Sequence, residues 1–135
     1  MSSIMKENKK MNKTILIVDD VDFNIEFESK LIRTLMEEYE INIEIDEAHN
    51  VGEALKMIDD NDVYDAMIID MNLPDGTGVE IAKTAREKSK KTRLAALTIY
   101  PNEYEKERVY FDLFLKKPIM LDSFKQNFIR LLQLP

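Results

Sequence analysis

Five polar residues hold the same place in the hydrophobic pattern of the chain, because each lies at or just after the end of a short apolar run. They are Asp19, Asp20, Asp70, Thr98 and Lys117. Carboxylates brought together repel one another, and a divalent cation relieves that repulsion. Oxygen ligands without histidine or cysteine favour Mg²⁺ or Mn²⁺ over zinc. A carboxylate beside such an ion and an ammonium group is a competent nucleophile toward phosphorus, so these residue types predict aspartyl phosphorylation.

The hydrophobic pattern indicates how the chain brings these residues together. Short apolar runs alternate with longer amphipathic stretches, which is typical of β-α-β units around a parallel sheet. We predict five strands, at residues 14–18, 42–48, 66–70, 94–97 and 111–115. Ligands of open parallel sheets bind at the carboxyl ends of the strands, near the point where strand order reverses. Four of the five predicted strands deliver a polar residue to that edge.

The segments between the strands are predicted to be mainly helical. The predicted helices are residues 24–39, 51–59, 79–88 and 121–132. In the first of them Phe27, Leu31 and Leu35 recur every four residues and predict a buried stripe. Residues 73–78 contain one proline and two glycines and are predicted to be a loop. Residues 101–110 are charged, and we expect their helix to be short or irregular.

Composition limits the classes of protein to consider. The chain has 135 residues, 44% of them hydrophobic, and no cysteine, which predicts one soluble globular domain without thiol chemistry. Its apolar runs fall far short of the roughly 20 residues that span a bilayer. Residues 1–13 are polar and basic and lack the apolar segment of a secretory signal, so we expect a flexible tail and a cytoplasmic protein. The formal net charge of −7 argues against nucleic acid as a partner.

Four short motifs occur in order along the chain, each at the end of a predicted strand. They are ILIVDD at residues 15–20, IIDMNLPDGTG at 68–78, Leu97–Thr98, and Lys117–Pro118. Each is weak alone, but together they resemble the receiver domain of two-component response regulators. The resemblance covers about residues 13–133. It implies that residues 14–135 form one receiver domain with an α/β, flavodoxin/CheY-like doubly wound fold: five parallel strands in the order 2-1-3-4-5, with helices on both faces.

The resemblance implies a phosphoacceptor and a metal site. Asp70 would be the phosphoacceptor. Asp19 and Asp20 would hold Mg²⁺, or Mn²⁺, together with Asp70. Asn72 would contribute its backbone carbonyl to the same ion.

The resemblance also implies a set of residues that respond to the phosphoryl group. Lys117 would pair with it, and Thr98 would follow it with a hydrogen bond. Pro118 would follow a cis peptide bond, a state that is accessible mainly before proline. Phe114 occupies the place of the family's switch aromatic, although packing in the core explains an aromatic on a sheet equally well.

Three departures from the family pattern bear on these expectations. Phe114 stands where the family more often has tyrosine. Ile99 follows Thr98 where the family favours a small residue, so its bulk is expected to slow phosphoryl gain and loss. The interval from Thr98 to Lys117, nineteen positions, is short for the family. We therefore expect intact phosphorylation chemistry and an altered output surface.

The leading hypothesis is a phospho-accepting receiver, with a histidine kinase or histidine phosphotransfer protein as donor and an unidentified protein downstream. Because the chain ends soon after the last predicted helix, we expect a stand-alone regulator or phosphorelay intermediate. It is not predicted to be an enzyme acting on an external substrate. One alternative is a pseudo-receiver that binds a partner without phosphorylation, which Ile99 and the short interval from Thr98 to Lys117 motivate. Another is an aspartate-nucleophile phosphohydrolase, which needs a second aspartate where Asn72 stands.

Overall fold

The computed structural model describes residues 11–135, which form one parallel sheet with helices on both faces. The strands are β1 (Asn12–Val18), β2 (Asn42–Ala48), β3 (Ala66–Asp70), β4 (Arg93–Thr98) and β5 (Leu113–Lys116). Their order is β2-β1-β3-β4-β5, and each neighbouring pair is parallel. The predicted fold class and strand order are confirmed.

The helices and one irregular segment connect these strands. They are α1 (Asp22–Glu38), α2 (Val51–Asp60), α3 (Gly78–Lys88), the 3-10 segment (Pro101–Tyr110) and α4 (Leu121–Leu131). Side chains alternate between the two faces of a strand, and β1 divides the core in this way. Ile15 and Ile17 pack with α1 and α4, whereas Leu16 and Val18 pack with α2 and α3. The three central strands, β1, β3 and β4, are mostly buried, whereas the edge strands β2 and β5 are only partly covered.

The predicted boundaries differ from the observed ones at several strand and helix ends. β1 begins at Asn12, and α1 begins at Asp22, each two residues before the predicted start. β5 begins two residues late, because the Asp112 carboxylate is bonded to Arg86 and Arg93 in the turn before it. The predicted loop includes a small antiparallel hairpin that pairs Asn72–Leu73 with Gly76–Thr77.

The predicted buried stripe of α1 is confirmed at Leu35 but is wrong at Phe27 and Leu31. Phe27 and Leu31 are only half-buried. The fully buried residues are Ile25, Glu28, Ile32, Leu35 and Met36. In the sequence, the polar Glu28 interrupts the apolar face that is buried. The uninterrupted four-residue spacing of Phe27, Leu31 and Leu35 therefore gave the stronger helical pattern.

The 3-10 segment confirms the expected irregular helix between β4 and β5. Its backbone leaves helical geometry at Tyr104, and none of its residues is fully buried. The segment therefore differs from a regular, packed helix.

Two expectations concern the start of the chain and membranes. Residues 1–10 of the predicted tail lie outside the described residues, and Asn12 and Lys13 belong to β1. Within residues 11–135 no helix combines the length and the apolar character needed to cross a membrane.

A glycine at the start of α3 allows this helix to approach β3 closely. A Cβ atom on Gly78 would lie 2.6 Å from Ile69 Cγ2 and 3.1 Å from the backbone oxygen of Asp70. We expect Gly78→Ala to lower the free energy of unfolding by about 1–3 kcal/mol, measured by urea denaturation. Gly52→Ala is the control, because a Cβ there meets its nearest neighbour at 3.4 Å. Equal stability of the two variants would contradict this expectation.

Candidate functional site

The parallel pairing of β1 with β3 brings three carboxylates to one edge of the sheet. Val18 lies opposite Ile69, so the residues that follow each strand are neighbours. Asp19, Asp20 and Asp70 each offer an oxygen, and these oxygens lie within 4.8 Å of one another. Asp19 and Asp70 are only 1% and 3% exposed, whereas Asp20 is open to solvent. The structure therefore brings together the three carboxylates expected from the sequence.

Asp70 receives a hydrogen bond on each of its carboxylate oxygens. Lys117 Nζ donates to Oδ2 at 2.9 Å, and the backbone amide of Asn72 donates to Oδ1 at 3.0 Å. The same ammonium lies 3.8 Å from Asp19 Oδ2. These contacts fix the orientation of the Asp70 carboxylate and place one positive charge directly beside it.

Lys117 reaches the site from the end of β5. Its backbone amide donates to the carbonyl of Thr98 at 2.9 Å, which aligns the end of β5 with the end of β4. The peptide bond between Lys117 and Pro118 is cis, as predicted. Burial lowers the pKa of Lys117, but the hydrogen bond with Asp70 and the nearby carboxylates outweigh this and hold it above its ordinary value. The Lys117 side chain is therefore protonated and charged at neutral pH.

Asp19 is buried in a site where three carboxylates lie around the Lys117 ammonium, so negative charge is in excess there. Burial raises the pKa of Asp19, and the charge of Asp70 raises it further. Hydrogen bonds from the amide of Val21, at 2.9 Å, and from Asn24 act in the opposite direction but do not prevail. A cation relieves such an excess, and a donor set made only of oxygens fits Mg²⁺. The residues present thus match the metal that the sequence predicted.

Thr98 is the last residue of β4 and is buried beside this site. Its Oγ1 accepts a hydrogen bond from the amide of Tyr100 at 3.1 Å. A hydroxyl group that accepts in this way keeps its hydrogen for another acceptor. The side chain of Ile99 is half exposed and lines a cavity of about 460 Å³ together with Phe23 and Lys117.

Phe114 is half-buried and is held between two side chains. Its ring lies edge-on to Phe111, with centroids 5.3 Å apart and planes inclined by 70°. The Arg108 guanidinium lies 4.7 Å from the ring centroid on the 3-10 segment side. Phe114 thus contacts both the core and the irregular segment that replaces a regular helix.

Sequence reasoning missed Glu28, which lies in the wall of the same cavity as Ile99. Glu28 is 1% exposed, and neither carboxylate oxygen has a hydrogen-bond partner among residues 11–135. Burial raises its pKa to about 8, with smaller contributions from the charges of Asp19 and Asp70. The missed signal was its spacing, because it lies three residues after Ile25 on the buried face of α1.

Sequence reasoning also missed Tyr104 of the 3-10 segment. Its hydroxyl lies 3.4 Å from the side-chain oxygen of Asn72. Burial raises the pKa of Tyr104, and the charges of Glu103, Asp70 and Glu107 add to the effect. An irregular segment has no periodicity, so nothing in its sequence pattern indicated which side chain faces the acidic cluster.

Comparison with known sequences gives a consistent family match. A family model described as the response regulator receiver domain matches residues 15–128. The chain is 28% identical over 131 residues to the hybrid signal transduction histidine kinase L of Dictyostelium discoideum, covering 90% of this chain and 7% of the kinase. It is 29% identical over 113 residues to the two-component response regulator 24 of Arabidopsis thaliana, covering 82% of this chain and 77% of that protein.

Comparison with solved structures supports the same fold. The response regulator protein TrrA from Thermotoga maritima, crystallised in complex with Mg²⁺–BeF, matches with a TM-score of 0.69 and 32% identity, over 88% of this chain and 98% of TrrA. A two-component response regulator from Clostridium difficile matches with a TM-score of 0.76 and 23% identity, over 90% of this chain and 97% of that chain. The second similarity concerns the fold alone.

Proposed function

The chain belongs to the response regulator receiver domain family, and from that premise we propose that it accepts a phosphoryl group on Asp70 in two-component or phosphorelay signalling. The observation that carries the proposal is the environment of Asp70. Its buried carboxylate accepts a hydrogen bond from Lys117 and lies in one cluster with Asp19 and Asp20. Receiver domains are regulatory phosphoacceptors, so the consequence is a change of protein–protein interactions and not the turnover of an external substrate.

In this proposal Asp70 is the nucleophile. One carboxylate oxygen attacks the donor's phosphorus, the bond between phosphorus and the donor breaks, and Asp70 becomes an acyl phosphate. Lys117 stabilises the charge on the transferring oxygens, and Thr98 donates its free hydroxyl hydrogen to one of them. Asp19 and Asp20, with Asp70 and the Asn72 carbonyl, would hold Mg²⁺. When bound, the ion neutralises part of the negative charge gathered at the site.

The proposed response is a two-state shift carried by Thr98 and Phe114. A phosphoryl group on Asp70 is a new acceptor for the Thr98 hydroxyl, whose oxygen accepts a hydrogen bond from the amide of Tyr100. Movement of this loop opens space for the Phe114 ring. The ring must then leave its contact with Arg108, so the 3-10 segment loses one of its contacts with β5.

The proposed donor is a histidine kinase or a histidine phosphotransfer protein, and the proposed downstream partner is another protein. The receiver would begin at Asn12, the first residue of β1, and not at residue 14 as the sequence predicted. We also propose a cytoplasmic location. The match to a hybrid histidine kinase supports this kind of donor. Because the chain spans only 7% of that kinase, the activity of the whole relative is not carried over.

The test is the intact mass after incubation with acetyl phosphate and Mg²⁺. We expect the protein to gain one phosphoryl group, because Lys117 orients the Asp70 carboxylate and places a positive charge beside it. Asp70→Asn is expected to gain none, and so is the parent protein with excess chelator. Asp75→Asn, an exposed aspartate outside the cluster, is the matched control and should gain one.

The alternative of a pseudo-receiver keeps one supporting observation, the irregular 3-10 segment whose Tyr104 approaches Asn72. In that case the protein would bind its partner without phosphorylation. Mass measurement with no phosphoryl gain, together with retained Mg²⁺ binding in a titration, would favour it over the receiver.

A further inference from the structure

We propose that Tyr104 is a positioning residue that sets the lifetime of the phosphoryl group on Asp70 by holding the side chain of Asn72. This inference rests on the proposed phosphorylation of Asp70. It goes beyond that proposal because it assigns control of phosphoryl loss to the 3-10 segment, which lies outside the four motifs of the sequence.

The position of Tyr104 is fixed by the irregular backbone of the 3-10 segment. Tyr104 is the residue at which the segment leaves helical geometry, with φ −113° and ψ 29°. Its side chain is partly buried and packs against the core layer on the α2 and α3 face of the sheet. From there its hydroxyl reaches to 3.4 Å from Asn72 Oδ1.

Asn72 connects this contact to the phosphoacceptor. Its backbone amide bonds Asp70 Oδ1 at 3.0 Å, so its side chain starts within a few bonds of the reacting carboxylate. That side chain is exposed, and Tyr104 supplies its hydrogen bond within the described part of the chain. Without the phenol the amide is free to rotate toward the acceptor.

The reaction that this contact controls is hydrolysis of the acyl phosphate. A water oxygen attacks phosphorus, the bond from phosphorus to the Asp70 oxygen breaks, and Asp70 leaves as a carboxylate. The protons of the water pass to inorganic phosphate and solvent. An amide oxygen that accepts a hydrogen bond from this water orients it for attack. Tyr104 draws Asn72 Oδ1 toward the 3-10 segment and away from that role.

The experiment compares the decay of phosphorylated Tyr104→Phe with that of the parent protein. Each protein is phosphorylated with acetyl phosphate and Mg²⁺, desalted, and followed by intact mass. We expect Tyr104→Phe to lose the phosphoryl group about threefold to tenfold faster, as for the loss of one neutral hydrogen bond. Tyr110→Phe is the matched control, because it makes the same change in the same segment beneath the Lys83 ammonium and away from Asn72. Its decay rate should equal that of the parent.

A second pair of variants separates positioning from a general structural effect. In an Asn72→Ala background, Tyr104→Phe is expected to cause no further acceleration, while the thermal midpoint of Tyr104→Phe stays at the parent value. Equal lifetimes of the parent and Tyr104→Phe would overturn the proposed role of Tyr104 but not the phosphorylation of Asp70. The same acceleration by Tyr104→Phe in the Asn72→Ala background would have the same consequence. Absence of phosphoryl uptake by the parent would overturn this inference and the proposed function together.

Discussion

We expect the parent protein to lose stability between pH 5 and pH 8, and replacing Glu28 by glutamine is expected to abolish this loss. Burial raises the pKa of Glu28 from its ordinary value of 4.5 to about 8. Between these two values the unfolded chain ionises at this residue and the folded chain does not. The free energy of unfolding therefore falls as the pH rises above about 4.5. The stability that the raised pKa contributes at low pH is lost once the pH has passed about 8.

The expected size of this effect is large for one side chain. A shift from 4.5 to about 8 corresponds to about 5 kcal/mol at the upper limit. The physical reason is that both carboxylate oxygens are buried and have no hydrogen-bond partner among residues 11–135, beside a site that already holds Asp19 and Asp70. Glutamine keeps the shape of the side chain and cannot ionise.

The measurement is urea denaturation of the parent and Glu28→Gln at pH 5 and pH 8.5. The difference in free energy of unfolding between the two proteins should move in favour of Glu28→Gln by several kcal/mol at the higher pH. Glu26→Gln, an exposed position on the same helix, should follow the parent at both values. An unchanged difference between Glu28→Gln and the parent would show that Glu28 ionises normally in the folded protein.

Replacing Lys117 by methionine is expected to lower the rate of phosphorylation by about 10²-fold to 10³-fold. Lys117 is the ammonium that contacts Asp70, at 2.9 Å, and it lies 3.8 Å from Asp19. Methionine keeps the apolar stem but removes the charge that stabilises the transferring oxygens.

The control is Lys116→Met, because Lys116 is the neighbouring, exposed lysine at the end of β5. The rate is followed by intact mass at fixed acetyl phosphate and Mg²⁺. Lys116→Met should keep the parent rate, and Lys117→Met should still bind Mg²⁺, since removing a positive charge leaves Asp19 and Asp70 more attractive to a cation. A similar loss of rate in both variants would assign the effect to the net charge of the loop and not to Lys117.

The site carboxylates were predictable because simple rules fix their surroundings. A parallel sheet places the carboxyl ends of its strands on one edge, and Asp19 and Asp70 each follow an uninterrupted apolar run. Nothing in the local sequence competes with that assignment. Lys117 was predictable for a related reason, since it follows the last apolar run before Pro118.

The features that sequence reasoning missed depend on helix rotation and irregular backbone. The stripe through Phe27 and Leu31 has regular helical spacing, but the buried face lies through Ile25 and Ile32, where Glu28 is enclosed. A buried, unpartnered acid contradicts the usual rule that polar residues face water, so periodicity alone assigns it to the surface. Tyr104 had no pattern at all, because its position follows from the kink in the 3-10 segment.

The most direct test of the central claim is to locate the phosphoryl group. After incubation with acetyl phosphate and Mg²⁺, borohydride reduces an aspartyl phosphate to homoserine, and peptide mass spectrometry identifies the residue. The account predicts that homoserine appears at position 70 and at no other aspartate, with none in a chelator-treated sample. Homoserine at Asp19 or Asp20 in place of Asp70, or phosphorylation that persists in Asp70→Asn, would contradict it.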